Sequence, residues 1–550
     1  MIYDVIVVGS GIAGLMSAIE AKKNGAKVAI VTKNNPLKSN SFMASGGINA
    51  VLNTNQADIF SHVQDTIKGS KGLSDTKTVE YMCENARRII YKLKSYGVEF
   101  DSENDDTLMQ RPFGGGSIKR TCFVGDKTGS AIISALLKEA RHLGIEFLTN
   151  NFALRIITHQ NQVSALAVLR KSDSNVVLYP TKAIILAGGG YAGIYKGHTT
   201  NSPDCTGDTI ALALKAGLRV VDMEFVQFHP TGFEKSGYLV SEAARGEGGY
   251  LVNSDGERFV DELATRDVVA VEIYKQIKNK QRVFIDLRHL SSEQIEQRLP
   301  SLYKSAHIQA GIDIKTELLP IKPVAHYTMG GIESNMVDTS IVGLFVCGEN
   351  SANLIHGANR LGGNSLLEGA VFGELAGVKA SMMAKKTDLL PIDYNQAIPD
   401  IRMIDRLFEG DTSKNFNALR TSLGNVMFDK VGIIRNYKSL YEALDYVKYL
   451  STQAGQLFVI DKSKSNNVEV TAILELRNAL IVAESVILSA IKREESRGSH
   501  QRDDFKNSDK KFNKHISIRL IDGKLLKEEY KINSLFYNLL EKLRNLIINK

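Results

Sequence analysis

The stretch that most narrows what this chain can fold into is YDVIVVGSGIAGLMSAIEAKKNGAKVAIVTK, residues 3–33. An apolar run of strand length meets a glycine turn, a helical stretch follows, and a second apolar strand returns. That succession opens a doubly wound α/β domain with a parallel sheet. Gly9, Gly11 and Gly14 fall in G-x-G-x-x-G spacing between strand and helix. There glycine permits a tight turn and lets backbone approach a pyrophosphate at the helix N-terminus. The second strand ends in Thr32-Lys33, where a dinucleotide fingerprint places an acidic residue on the ribose. This departure argues against NAD in particular.

Two further apolar strands run into glycines much later, in AIILAGGGYAGIY (183–195) and GLFVCGEN (343–350), so the nucleotide domain is discontinuous. The expected division is a nucleotide-binding domain of residues 1–221 and 322–385, an inserted α+β capping domain over 222–321, and a helical domain over 386–505. Residues 506–550 read as a basic tail ending in an amphipathic helix. A chain of 550 residues with 43% hydrophobic content supports several cores.

The formal charge of +7 comes largely from residues beyond Arg493 and reads as solvated surface, with no aromatic and basic interleaving to suggest nucleic acid. The apolar stretch Leu476 to Ile491 contains Arg477 and Glu484 and falls short of the roughly 20 residues a bilayer span needs. The N-terminus reads as a buried strand and not as a signal. Cys83, Cys122, Cys205 and Cys347 form no C-x-x-C pair, which excludes a protein-ligated zinc or iron–sulfur site of the usual spacing and favours a reducing cytoplasm.

Four segments concentrate polar chemistry among glycines: HPTGFEKSGYLVSEAARGEGG (229–249), ELATRDVVA with Arg266, PVAHYTMGGI with His326, and CGENSANLIHGANRLGGNSLLEGAVFGE with Glu349 and Arg360. In order and content they resemble the flavoprotein subunits of succinate dehydrogenase and fumarate reductase, a family that also contains L-aspartate oxidase. The resemblance runs from residue 3 to about 505. It implies FAD in the nucleotide domain, with Lys33, Asp208, Glu349 on the ribityl chain, and Ser365 and Leu366 at a helix N-terminus joining the three glycines around it. It also implies that His229, Ser241, His326 and Arg360 hold the two carboxylates of fumarate or succinate. The chemistry is sensible, because a dicarboxylate needs cations and donors at both ends and an arginine fork clamps a carboxylate in two places. By the same resemblance, hydride transfer at flavin N5 is completed by Arg266 as proton donor, reloaded through Glu242 and Arg245. A plain alternative for Glu242 and Arg245 is an exposed loop salt bridge, worth about 0–1 kcal/mol.

Departures from the family pattern carry further expectations. Asn40 stands where membrane-complex relatives carry the histidine that bonds FAD, so the FAD is expected to be noncovalent and the reaction biased to fumarate reduction. Phe113 stands where aspartate oxidases place a glutamate for the substrate ammonium, which argues against that substrate, as do HYTMGG and ANRLGGNS. NSFMASGG and TTNSPD look like the oxidase branch. L-aspartate oxidation to iminoaspartate and a soluble thiol-linked fumarate reductase therefore stay open as alternatives. Ser241 replaces the usual threonine, and Val271 a second arginine. The implied partners are an iron–sulfur subunit, with or without a membrane-anchor subunit, and the expected location is cytoplasmic, free or peripheral on the inner face of the membrane through those subunits.

Overall fold

The computed structural model describes residues 1–104, 107–411 and 414–530. Its central sheet runs Glu146–Thr149, Val28–Thr32, Tyr3–Val8 and Asn175–Leu186, all parallel, with Leu344–Val346 also parallel to Asn175–Leu186. Two antiparallel strands, Gln162–Arg170 and Asn151–His159, complete it. Both faces are covered: Ile6 and Val8 belong to one core, Val5 and Val7 to the other. A strand buried on both sides must be apolar throughout, which is why the opening reads as a continuous run.

The helix Ile12–Lys23 follows the first strand and lies against the long helix Asn364–Lys386. Gly369, Gly373 and Gly377, four residues apart, form the contact stripe, where a Cβ on Gly373 would lie 2.6 Å from Ala13 O and one on Gly377 2.3 Å from Ser17 O. The long helix is thus set against the first helix by close backbone approach, and its N-terminus is brought toward the glycine turn.

The capping domain is an antiparallel sheet of Val226–Phe233, Leu319–Thr328, Val283–Asp286 and Tyr250–Asn253, with the helices Arg266–Lys278, Ser292–Arg298 and Pro300–Ala310 and a core of its own. The expected boundary at 321/322 falls inside the strand Leu319–Thr328. That strand and Val226–Phe233 leave the nucleotide domain and enter the cap, Phe228 packing in the first core and Phe233 in the cap's. The helix Pro300–Ala310 has no side-chain cap from its own N-cap residue. Asp126 of the nucleotide domain supplies it, accepting from Ser301 N (2.7 Å), Ser301 Oγ (2.6 Å) and Leu302 N (3.2 Å). A carboxylate on free N–H groups at the positive helix end ties the two domains together.

The helices Phe416–Val431, Tyr437–Gly455 and Val468–Lys492 pack as expected of a helical domain. The segment beyond residue 505 departs from its reading as a tail. His515–Ile521 and Lys524–Tyr530 form a hairpin that pairs antiparallel with Arg219–Val221. Asp522 and Gly523 at φ 48° and 76° make the turn, as a D-G pair between alternating apolar residues requires. The amphipathic helix expected at the end of the tail lies outside the described residues.

Candidate active site

The glycine turn builds one end of a cavity of about 650 Å³. Gly9 has φ 116°, and a Cβ there would lie 2.2 Å from Ala187 O. Gly9 and Gly11 line the cavity, whereas Gly14 does not: a Cβ on it would meet Gly9 O at 2.1 Å. Gly14 therefore serves helix–strand packing instead of facing the pyrophosphate directly. The helix Ile12–Lys23 has no cap from its own N-cap residue Gly11 and no acidic residue in its first turn; Ser41 Oγ accepts from Ile12 N at 3.2 Å, and the remaining N-terminal N–H groups are suited to an anion. At the far side the helix Asn364–Lys386 starts in the same way, after Gly363 at φ 82°, and presents Ser365 and Leu366 to the cavity.

Lys33 and Asp208 also line it. Lys33 Nζ lies 2.6 Å from Asp208 and 2.7 Å from Glu475, which arrives from the helix Val468–Lys492. Burial works against the ammonium, but the two carboxylates hold Lys33 above its usual range, so it stays charged. Asp208 Oδ1 accepts from Asn478 Nδ2 at 2.9 Å. Glu349, between the two helix ends, is pushed up to about 7 by burial, against the opposing donation of Thr328 N at 3.0 Å. A polar cleft with two helix N-termini free of acidic residues, a glycine turn and a cavity of this volume fits a dinucleotide such as FAD.

The cavity leads to Ser241 and His326. His326 and His229 sit on the adjacent strands Leu319–Thr328 and Val226–Phe233, ring centroids 5.0 Å apart. Burial first, and then nearby cations, push both rings well below the ordinary histidine value, so both are neutral at pH 7. Arg266, the first residue of its helix, donates from Nε (2.8 Å) and Nη2 (2.5 Å) to Glu242 Oε2. Glu242 in turn is held down to about 2: burial raises it, but Arg266 and Arg245 outweigh that. Arg245 Nη2 is 3.9 Å from Glu242 Oε1, and Arg245 Nη1 donates to Glu262 O. Glu242 is 4% exposed and Arg245 2%, so the pair is no surface salt bridge.

Sequence reasoning missed Gln227. Its Oε1 accepts from both Arg266 Nη1 and Arg360 Nη2 at 3.1 Å, while its Nε2 donates to Asn359 Oδ1 and Arg360 O at 2.8 Å. It lies two residues before His229 in one strand, and strand periodicity puts the two on one face. That spacing was the available signal. Arg360 also donates to Ser365 Oγ at 2.9 Å and stands over the Tyr327 ring; burial and Arg266 push it down to about 9. Arg360 Nε, Arg245 Nε and Arg245 Nη2 lack hydrogen-bond partners among the described residues. Phe113 packs beside Gly362, where an added Cβ would lie 2.8 Å from Phe113 Cδ2 and 2.9 Å from Glu242 Oε2. An aromatic ring thus borders the Glu242–Arg266 pair. Val271 packs against the main core outside this cluster.

Residues 4–366 match the model of the FAD binding domain, and residues 420–538 that of the fumarate reductase flavoprotein C-terminal domain. The chain is 36% identical to a succinate dehydrogenase flavoprotein subunit of Rickettsia bellii, over 93% of this chain and 92% of that one. It is 37% identical to an uncharacterised FAD-dependent oxidoreductase of Methanocaldococcus jannaschii, covering 98% and 99%. Among solved structures, an E. coli quinol fumarate reductase flavoprotein superposes with TM-score 0.91 at 32% identity, covering 97% of each chain. The Sdh1 complex of Mycobacterium smegmatis gives 0.84 at 34%, covering 96% and 93%. Among the described residues no helix is long and apolar enough to cross a membrane. The chain belongs to the succinate dehydrogenase and fumarate reductase flavoprotein family, FAD-dependent oxidoreductases acting on the CH–CH bond of succinate and fumarate.

Proposed function

We propose that this protein interconverts fumarate and succinate with noncovalent FAD, biased to fumarate reduction, as the flavoprotein subunit of an electron-transfer complex. The observation that carries the substrate end is the charge imbalance: Arg245, Arg266 and Arg360 converge with Glu242 as the carboxylate between them, and three of their N–H positions are unpartnered. A dianion is the ligand such a site lacks.

Gly9, Gly11, Glu349, Ser365 and Leu366 would hold FAD, which when bound would supply the two-electron hydride chemistry. His229, His326, Ser241 and Arg360 bind the carboxylates, and neutral histidines donate hydrogen bonds without adding repulsion between buried cations. Arg360 at one carboxylate draws charge off the double bond, which stabilises the carbanionic carbon left by hydride addition. Arg266 gives that carbon a proton. Glu242, hydrogen-bonded to Arg266 on one oxygen and facing Arg245 on the other, returns a proton to it. Gln227 keeps Arg266 and Arg360 at a fixed separation through one shared oxygen. Phe113 beside Glu242 offers no counter-charge to a substrate ammonium, which favours succinate over L-aspartate.

Asn40 offers an amide where a covalent link would need a ring nitrogen. The relatives' names as flavoprotein subunits support an external electron partner, and an iron–sulfur subunit is the chemical class that fits. The test is anaerobic: acid precipitation reports whether FAD is released, then the oxidised protein is mixed with succinate or with L-aspartate. Bleaching by succinate, and reoxidation of the dye-reduced protein by fumarate, are expected. Bleaching by L-aspartate alone would overturn the reading.

A further inference from the structure

Asn40 is engaged at every polar position of its amide. Its Oδ1 accepts from Ser202 N at 2.9 Å, and its Nδ2 lies 2.7 Å from Asn201 Oδ1 and 3.0 Å from Cys205 Sγ. All three partners belong to the segment 199–205, which crosses the cavity wall. That segment grips the strand bearing His326. Asn201 Nδ2 donates to His326 O at 2.7 Å, Thr200 Oγ1 is hydrogen-bonded to His326 Nδ1 at 2.7 Å, and Thr199 Oγ1 donates to Ala325 O at 2.9 Å. The backbone adds Thr200 N to Ala325 O at 3.0 Å.

We infer that Asn40 is a positioning residue for His326, acting through residues 199–205, and that this chain uses the position to order the dicarboxylate site. The inference rests on His326 as a carboxylate ligand. An amide is specifically suited to the task, since it donates and accepts across adjacent atoms. A carboxylate at position 40 would face Asn201 Oδ1 with no proton to give. An imidazole offers one donor and one acceptor on opposite sides of a ring, and cannot meet Ser202 N, Asn201 and Cys205 together. The thiol of Cys205 is drawn into the same contact set, so the segment is fixed at both ends: by Asn40 on one side and by the His326 strand on the other.

The test uses Asn40→Ala, Thr200→Val and the double variant, each purified as holoprotein. FAD per chain, succinate affinity from the flavin spectrum, and KM and kcat with fumarate are measured. Expected are full FAD occupancy, a succinate affinity and KM weakened about tenfold in each single variant, the loss of one hydrogen-bonded link, and kcat changed less than threefold. Because both substitutions act on one chain of contacts, the double variant should be no weaker than the worse single one. Asn40→Asp guards against a folding defect in the alanine variant and should weaken affinity to the same degree. Unchanged affinity in Asn40→Ala, loss of FAD, or additive effects would each overturn the inference. His326→Ala separates the two levels. If it binds succinate as tightly as the parent, the substrate reading itself falls; if it loses binding while Asn40→Ala keeps it, the role of Asn40 alone falls.

Discussion

Two of the buried clusters of arginine, carboxylate and histidine among the described residues are built on opposite rules. One joins the C-terminal segment to the nucleotide domain. Arg493, with its side chain fully buried, meets Glu224, Asp222 at 3.3 Å and Glu495 at 3.2 Å; Arg497 meets Glu495 at 2.7 Å; and His515 meets Asp222 at 2.5 Å. Arg435 donates to Glu224 O and to His500 Nδ1, each at 2.8 Å. Arg435, Arg493 and Arg497 thus face Asp222, Glu224 and Glu495, and the two unpartnered atoms among these six residues, Glu224 Oε2 and Arg435 Nη2, are one of each sign. The cluster around Gln227 sets three arginines against Glu242 and leaves three donor positions of one sign open. A balanced network holds a fold; a buried surplus of cations is sustained by the rest of the fold for an anion that binds later.

Turnover should break the likeness most sharply. Arg266→Ala is expected to lower fumarate reduction by about 10²–10⁴-fold, the usual contribution of a positioned proton donor, with FAD and fold retained. Steady-state rates beside a flavin spectrum check this; a variant with more than a tenth of the parent activity would remove Arg266 from the chemistry.

Stability should separate the clusters next. Arg493→Ala leaves Glu224 buried without its cation and Asp222 with His515 alone, and should cost about 3–5 kcal/mol in denaturant unfolding. Arg360→Met removes a cation that burial disfavours and that forms no ion pair among the described residues, so its unfolding midpoint should match or exceed the parent's. The same variant should lose the stabilisation by succinate, which in the parent reaches about 2.7 kcal/mol at a hundred times the dissociation constant. A large loss of stability in Arg360→Met would put it with the structural arginines.

The histidines sharpen the contrast through pH. His229, His326 and His500 all have folded pKa values pushed well below 6.5, by burial first, then by arginines at His229 and His500 and by His229 and arginines at His326. A depressed folded value means the unfolded chain binds more protons, so each contributes stability present above about pH 6.5 and lost as pH falls below it. A dianion bound by His229 and His326 would raise both, whereas the charged groups acting on His500 are Arg435, Arg493 and Arg502. Between pH 7.5 and 5.5 the free protein should therefore lose more stability than the succinate-loaded protein. His500→Asn should shrink the loss equally in both states, while His326→Asn should shrink the difference between them.

Much of this arrangement was legible in the chain, and the failures have a common physical cause. Strand, glycine turn and helix are local patterns, and Tyr3–Val8, Gly9 and Ile12–Lys23 stand where periodicity placed them. His229, Glu242, Arg266, His326 and Arg360 were singled out by the family resemblance of their segments, which are rich in glycine and charge, and the fold brings these side chains into one cluster. What remained hidden depends on partners distant in sequence. Gln227 has no charge to attract notice, yet it holds two arginines from other segments. Lys33 was read as a cofactor contact and lines the cavity, yet its ion pair with Glu475, 442 residues away, has no local sequence signal. The hairpin after residue 514 carried a visible D-G turn, and its lysines drew it into a reading based on composition. The cap on the helix Pro300–Ala310 comes from Asp126 in another domain, which no local capping rule can detect.

The smallest expected effect tests whether the two clusters also differ in packing. Ser241 lines the cavity, and its Oγ accepts from Ala243 N at 3.2 Å, so threonine keeps the hydroxyl and can direct its methyl into open space. Ser241→Thr should shift stability by less than about 0.5 kcal/mol, as substitutions outside packed networks do, and change succinate affinity less than threefold. Ser496 stands in the balanced cluster's own segment. Its Oγ donates to Phe505 O at 2.8 Å and accepts from Arg502 N at 2.8 Å, with the residue 8% exposed. Its hydroxyl is fixed by three hydrogen bonds to distant backbone, against one local bond at Ser241, so an added methyl has no freedom to choose its rotamer and Ser496→Thr should cost about 1–3 kcal/mol. Paired urea titrations of the two variants decide the point. Equal costs would mean that the dicarboxylate end is packed as tightly as the structural cluster, and its open donors would then need another explanation than room kept for a ligand.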